Sequence, residues 1–159
     1  MHYEVHGRQA DGAPTIILSS GLGGAGAYWL PQIDTLAASM CVVTYDHRGT
    51  GRTGGALPDS YRIADMADDV LEIADRLKLD QFHFMGHAFG GLVGLYLALR
   101  RPELLSSLVL VNAWSKVDRH TERCFDVRLA LLEKAGIAAF LKAQPKRQLS
   151  AMPLYKPPI

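Results

Sequence analysis

Phe82-His83-Phe84-Met85-Gly86-His87-Ala88-Phe89-Gly90-Gly91 is the stretch that decides the fold. Its first four residues are mostly apolar and predict a buried strand. A glycine-flanked turn follows at once, and Leu92-Val93-Gly94-Leu95-Tyr96-Leu97-Ala98-Leu99 continues as a helical run. Strand, tight turn and helix in direct succession are the setting of a nucleophile elbow. There the central residue of Gly-x-Ser-x-Gly stands above the carboxyl edge of a sheet, beside the positive end of a helix. Glycines at 86 and 90 let the backbone reverse without Cβ clashes. The central residue here is Ala88, so the frame for a nucleophile is expected without the nucleophile itself.

The flanking sequence repeats the same alternation. Residues 1–5 predict a short edge strand, and Thr15-Ile16-Ile17-Leu18-Ser19 a buried one. The latter runs into Ser20-Gly21-Leu22-Gly23-Gly24-Ala25-Gly26, whose glycine density lets backbone amides turn toward a ligand. As a dinucleotide loop this run has the wrong spacing and no clear acidic partner beyond Asp46. An oxyanion loop after an early strand fits better, with Gly21, Leu22 and Gly23 as its residues and the Leu22 N–H as donor. Residues 28–39 have a helical rhythm, with Pro31 suited to a first turn. Cys41-Val42-Val43-Thr44-Tyr45 predicts the next strand, followed by the loop Asp46-His47-Arg48-Gly49-Thr50-Gly51-Arg52. Asp46 and Arg48 are read as braces of that loop, pairing with each other or with backbone groups. Residues 61–79 predict an amphipathic helix with acids early and bases late. Residues 106–114 predict another buried strand, and residues 119–134 and 137–143 two further helices. After Gln144 there are four prolines and no period, which predicts an irregular tail.

Strands alternating with helices predict a parallel α/β sheet. Ligands of such sheets bind beyond the carboxyl ends of the strands. Residues 21–24, 46–51, 86–90 and 112–115 converge there by topology alone. The expected organisation is a core over 1–115, a helical segment over 116–143 and the tail over 144–159.

Composition narrows the function. The 159 residues are 48% apolar and 21% charged with a formal net charge of +1. That is a globular balance with no electrostatic case for nucleic acid. Arg119, Arg123 and Arg128 share their segment with Asp118, Glu122 and Asp126, a solvated helix face. Cys41 and Cys124 are expected as free buried thiols, and the six histidines lack zinc-site spacing. No apolar run is long enough to span a membrane, and no leader opens the chain, so a cytoplasmic protein acting on a small molecule without cofactor is expected.

Three motifs in order and spacing resemble the α/β-hydrolase fold: Ser20-Gly21-Leu22-Gly23-Gly24 at the oxyanion loop, Asp46-His47-Arg48-Gly49-Thr50-Gly51, and Gly86-His87-Ala88-Phe89-Gly90 at the elbow. Within that fold the chain is similar to the aminoacrylate hydrolase family of the Rut pyrimidine-degradation pathway, also described as carbamate hydrolases. The further carrying stretches are Tyr28-Trp29-Leu30-Pro31-Gln32, Val111-Asn112-Ala113-Trp114 and His120-Thr121-Glu122-Arg123-Cys124-Phe125-Asp126-Val127-Arg128. That family can also carry Ala at the elbow centre. The resemblance implies an α/β-hydrolase fold, a mostly parallel sheet flanked by helices and missing its C-terminal strands, with truncation after about residue 145. It implies hydrolysis of aminoacrylate to malonic semialdehyde and ammonia. In that fold the acid and histidine of the triad follow the later strands, and no histidine here follows His120.

Without a serine at 88, covalent acyl transfer is not available there. The expected site is an oxyanion hole from the Leu22 and Phe89 amides, holding the substrate carboxylate while water adds to the imine carbon. His87 either relays a proton or packs under the elbow. Trp114 is expected on the pocket wall. The competing expectations are a degenerate scaffold that binds a small ligand or partner, and an inactive fragment. A sheet ending at residues 108–111 would leave an apolar edge, from which homodimerisation is expected.

Overall fold

In the computed structural model, described over residues 1–9, 12–21 and 23–143, five strands form one sheet. They are β1 (Tyr3–Gly7), β2 (Thr15–Ser19), β3 (Cys41–Tyr45), β4 (Phe82–His87) and β5 (Leu105–Val111), in the spatial order β1-β3-β2-β4-β5. β2, β3, β4 and β5 pair in parallel, whereas β1 pairs antiparallel to β3, with Val5 opposite Val43. The sheet is therefore mostly parallel, as expected, with β1 its antiparallel member among the described residues. The link from β1 to β2 is only seven residues long, too short for a crossover connection, and β1 reaches the far edge by reversing its direction.

Period-two alternation sorts each strand between two faces. Ile17, Val43, Tyr45, Phe82 and Phe84 join Ala67, Val70 and Ile73 of α2 (Ile63–Arg76) and Val93 and Leu97 of α3 (Phe89–Arg100) in one core cluster. Ile16, Leu18 and Val42 join Trp29 on the opposite face, beside Leu36 and Ala37 of α1 (Leu30–Ala37). Val42, Val43, Phe84 and Val93 are wholly buried. Truncating a side chain such as Phe84 to Ala would cost about 3–5 kcal/mol.

Several boundaries differ from the sequence reading. Residues 28–39 divide into a short 3-10 turn, Gly26–Trp29, and α1, because Pro31 suits only the first turn of a new helix. The amphipathic helix is α2, closed by Lys78 at φ +54° with the Leu79 N–H donating to Ala74 O at 2.9 Å. β5 ends at Val111 and, among the described residues, lies at the boundary of the sheet with Ser106, Ser107, Val109 and Leu110 exposed, where a buried strand was expected.

Contacts divide the chain into two units, Met1–Trp114 and Ser115–Ile159. In the second, α4 (Arg119–Ala143) is interrupted at Gly136, whose φ of +75° and ψ of 176° are not helical. Two helical runs meet there, as the sequence pattern suggests. The tail over 144–159 lies outside the described residues. Both cysteines are free, but the expected burial fails: Cys41 is half-buried at the start of β3, and Cys124 is exposed.

Candidate active site

β4 passes into α3 through a single residue, Ala88, at φ +50° and ψ −112°. The neighbouring glycines are there because the backbones touch. A Cβ on Gly86 would lie 2.2 Å from Gly90 O, one on Gly90 2.3 Å from Ser19 O, and one on Gly91 2.2 Å from Ala113 Cβ. Hydrogen bonds fix Ala88 on both sides. Its N–H donates to Val111 O at 3.0 Å, and its carbonyl accepts the N–H groups of Gly91 at 2.9 Å and Leu92 at 3.2 Å. The conformation is over-determined by its surroundings, the condition under which backbone strain persists. The chain thus keeps the elbow and places a methyl group where a nucleophile would stand. Phe89 opens α3, so the positive end of the helix lies beside that methyl.

The glycine loop faces the elbow. The position that a Cβ would take on Gly21 lies 3.0 Å from His87 Nδ1 and 3.1 Å from Ala88 Cβ. Loop, imidazole and methyl therefore converge on one small region. Leu22, the expected donor, lies outside the described residues, while Gly23 follows at φ +96°. Not every loop amide turns toward a ligand. The Gly24 N–H donates to Gly21 O at 2.9 Å, and the Gly26 N–H to Asp46 Oδ1 at 2.8 Å.

Asp46 is a brace, as the sequence suggests, but its partner is not Arg48. Its Oδ2 accepts the Arg52 N–H at 2.8 Å and Arg52 Nε at 3.3 Å, while Arg52 Nη1 reaches Glu4 at 2.6 Å. Gly51 makes this possible, since a Cβ there would lie 2.3 Å from Asp46 Oδ2. Burial alone raises the Asp46 carboxyl, but the N–H groups of Arg52 and Gly26 and the Arg52 guanidinium outweigh it, and the net pKa is lowered. Arg48 instead pairs with buried Asp69 on α2, which also accepts the Tyr61 hydroxyl at 2.5 Å.

His47 was not singled out by the sequence, yet it ties the two loops together. It is 4% exposed, donates through Nε2 to Ser20 O at 3.0 Å, and donates its backbone N–H to Gly24 O at 2.7 Å. Burial lowers its pKa, so it is a neutral imidazole held in one tautomer by its carbonyl partner. His87 is different. Its ring stacks on Tyr28 with centroids 4.8 Å apart and planes 19° from parallel. Its Nδ1 is buried and has no hydrogen-bond partner among the described residues. Desolvation lowers its pKa, leaving a neutral ring able to take up a proton beside Ala88. Trp114 is half-buried, at the end of the first unit. The Tyr28 stack escaped the sequence reading because nothing in the spacing of residues 28 and 87 announces a ring contact.

Chemically, this arrangement joins a helix N-terminus, a glycine loop and one unpaired neutral imidazole around an unreactive methyl. It suits polarising a small polar substrate for attack by water and cannot form a covalent intermediate at residue 88. Among the described residues, no helix is long and apolar enough to cross a membrane.

Comparison with known proteins agrees with this geometry. The sequence is 66% identical over 145 residues to a protein of Rhizobium rhizogenes (strain K84 / ATCC BAA-868) named "Putative carbamate hydrolase RutD", covering 91% of this chain and 55% of that protein. A protein of the same name from Stutzerimonas stutzeri (strain A1501) is 54% identical over 144 residues, again covering 91% of this chain and 54% of the relative. The chain spans about half the length of these curated relatives. Among solved structures, the enol-lactonase from Burkholderia xenovorans LB400 is similar with a TM-score of 0.79 and 31% identity, over 89% of this chain and 54% of that one. The family model described as alpha/beta hydrolase fold matches residues 14–149, and the chain belongs to that family.

Proposed function

We propose that this chain is a hydrolase of pyrimidine degradation that accelerates the addition of water to aminoacrylate, giving malonic semialdehyde and ammonia without a covalent enzyme intermediate. The observation that carries this reading is Ala88, a methyl group held at φ +50° and ψ −112° in a fully formed elbow. A site of this form is suited to a substrate reactive enough to need only binding and polarisation. Aminoacrylate is such a substrate, because its imine tautomer takes up water readily. In serine proteases, a site stripped of its triad retains roughly 10³–10⁴-fold catalysis from the oxyanion hole and binding.

The proposed roles are these. The glycine loop at Gly21 and Gly23 and the start of α3 at Phe89 bind the carboxylate of the substrate. His87 Nδ1 accepts a proton from the attacking water as it adds to the imine carbon, then returns it to the departing nitrogen. The carbinolamine so formed collapses to the aldehyde and ammonia. Trp114 and Tyr28 supply apolar walls. The similarity to proteins named as carbamate hydrolases supports a small substrate with a carbon–nitrogen bond to be broken.

The test is ammonia release from freshly generated aminoacrylate and from carbamate, with the aldehyde product measured in parallel. Wild-type chain should accelerate ammonia and aldehyde release together from aminoacrylate. Gly21→Ala fills the space between His87 Nδ1 and Ala88 Cβ with contacts of 3.0 and 3.1 Å, which neighbours can relieve by small shifts. It should lower turnover several-fold while the protein still melts cooperatively. Turnover of carbamate alone would refute the substrate. No turnover, with substrate-like acids still raising the melting temperature, would identify a scaffold that only binds.

A further inference from the structure

The end of β3 and the residues after it grip the glycine loop at successive points. Tyr45, Asp46 and His47 are all buried, and each reaches a different part of the run from Ser19 to Gly26. The Tyr45 hydroxyl lies 2.7 Å from Ser19 Oγ, at the end of β2. His47 Nε2 donates to Ser20 O at 3.0 Å, the His47 N–H donates to Gly24 O at 2.7 Å, and Asp46 Oδ1 accepts the Gly26 N–H at 2.8 Å. His47 thus holds both ends of residues 20–24, one with its ring and the other with its backbone. The ring is itself confined. It meets the Tyr45 ring edge to face with centroids 4.9 Å apart, and a Cβ on Gly24 would lie 2.8 Å from His47 Cβ and Cδ2. Thr50 Oγ1 shares its proton between His47 O at 2.8 Å and Gly24 O at 3.2 Å.

We infer that His47 is a positioning residue for substrate binding: its imidazole N–H sets the orientation of the loop amides that take the substrate carboxylate. This rests on the carboxylate-binding role proposed above for Gly21 and Gly23. The Ser20–Gly21 peptide is planar and trans, so its C=O and N–H point in opposite directions. Fixing Ser20 O against His47 therefore also fixes the Gly21 N–H, which points away from His47. A neutral imidazole supplies the donor without placing a charge in a buried position. His47 acts through the loop and takes no part in proton transfer. An interaction that serves bound substrate and transition state alike shows in KM more than in kcat. A merely structural role shows the reverse, because fewer folded molecules lower the maximal rate and leave KM unchanged.

The experiment compares wild type with His47→Gln, His47→Leu and His47→Asn. Each is assayed for aminoacrylate turnover and for propionate binding, followed on the Gly21 and Gly23 amide resonances. Gln keeps an N–H near the Nε2 position, Leu has none, and Asn stops one bond short of it. His47→Leu and His47→Asn should raise KM and the propionate Kd about five-fold, with kcat within about two-fold of wild type. His47→Gln should recover most of the affinity. A folded Leu or Asn variant that keeps the wild-type KM and propionate Kd overturns the inference. So does one that loses kcat with KM unchanged, or a Gln variant as weak as the Leu one. His47→Asn decides the matter if His47→Leu does not fold. A wild type that binds propionate without turning over aminoacrylate refutes the proposed reaction alone, and the inference then stands or falls on propionate affinity across the variants. A wild type whose loop resonances ignore propionate overturns both.

Discussion

Replacing Ala88 with glycine should stabilise this protein, although the same change almost anywhere else in a helix or strand would weaken it. At φ +50° and ψ −112°, Ala88 lies outside the regions open to an L residue. Holding a non-glycine residue in so sparse a region costs about 1–3 kcal/mol. Glycine removes that cost. Against this stands the extra freedom of glycine in the unfolded chain, about 0.4–1 kcal/mol. The loss of one half-buried methyl adds about 0.4 kcal/mol, half the value of a fully buried one. Taking the middle of each range leaves Ala88→Gly about 1 kcal/mol more stable. For a chain of this size that raises the melting temperature by about 3 °C. Ala98→Gly, in the interior of α3, is the control, and should cost about 1 kcal/mol. Urea titrations of the three proteins at one pH provide the comparison. Ala88→Gly falling below wild type by as much as Ala98→Gly would mean that position 88 is not strained, and that the elbow is not held in the way described.

Other consequences concern the loops and their protonation. Asp46→Ala leaves the Gly26 N–H buried without an acceptor and frees Arg52, and should cost about 2–3 kcal/mol in urea denaturation; Asp46→Asn, which keeps one acceptor oxygen, should cost about half as much. Acid should destabilise the protein in two stages. His47 and His87 have pKa values below the ordinary 6.5, so the unfolded chain takes up their protons first and stability falls as pH drops below that value. Asp46, lowered from 3.8, adds a second loss only as pH falls below its ordinary value, because its stabilising contribution needs the ionised carboxylate. A melting temperature that rises on moving from neutral pH to pH 5 would contradict the assignment of buried neutral imidazoles. Lys78→Gly, at the left-handed residue that closes α2, should stabilise by about 0.5–1 kcal/mol in the same assay.

What the sequence revealed follows from which interactions are local. The elbow was legible because strand, glycine, turn and helix are contiguous, and Gly86 and Gly90 are required by contacts a few residues away or on the neighbouring strand. The break at Gly136 was legible for the same reason. The direction of β1 was not, because pairing with β3 depends on a link of only a few residues and on which edge remains open. Asp46 was recognisable as a brace, but its choice of Arg52 over Arg48 depends on Gly51, which lets the backbone pass close to the carboxylate. Arg48 turns instead to Asp69, a residue on a helix distant in sequence. His87 was identified as relay or packing residue. The structure gives it both a stacking partner in Tyr28 and an unpaired Nδ1, which no spacing rule would have joined.

The measurement that bears most directly on the proposed reaction is the rate of ammonia release from freshly generated aminoacrylate, on a sample that melts cooperatively, against an identical blank. Acceleration above the blank is expected, with the intact mass of the protein unchanged throughout turnover, since Ala88 offers no atom to form an adduct. A folded chain that leaves the blank rate unaltered, or one that accumulates a covalent adduct during turnover, would contradict water addition at a nucleophile-free elbow.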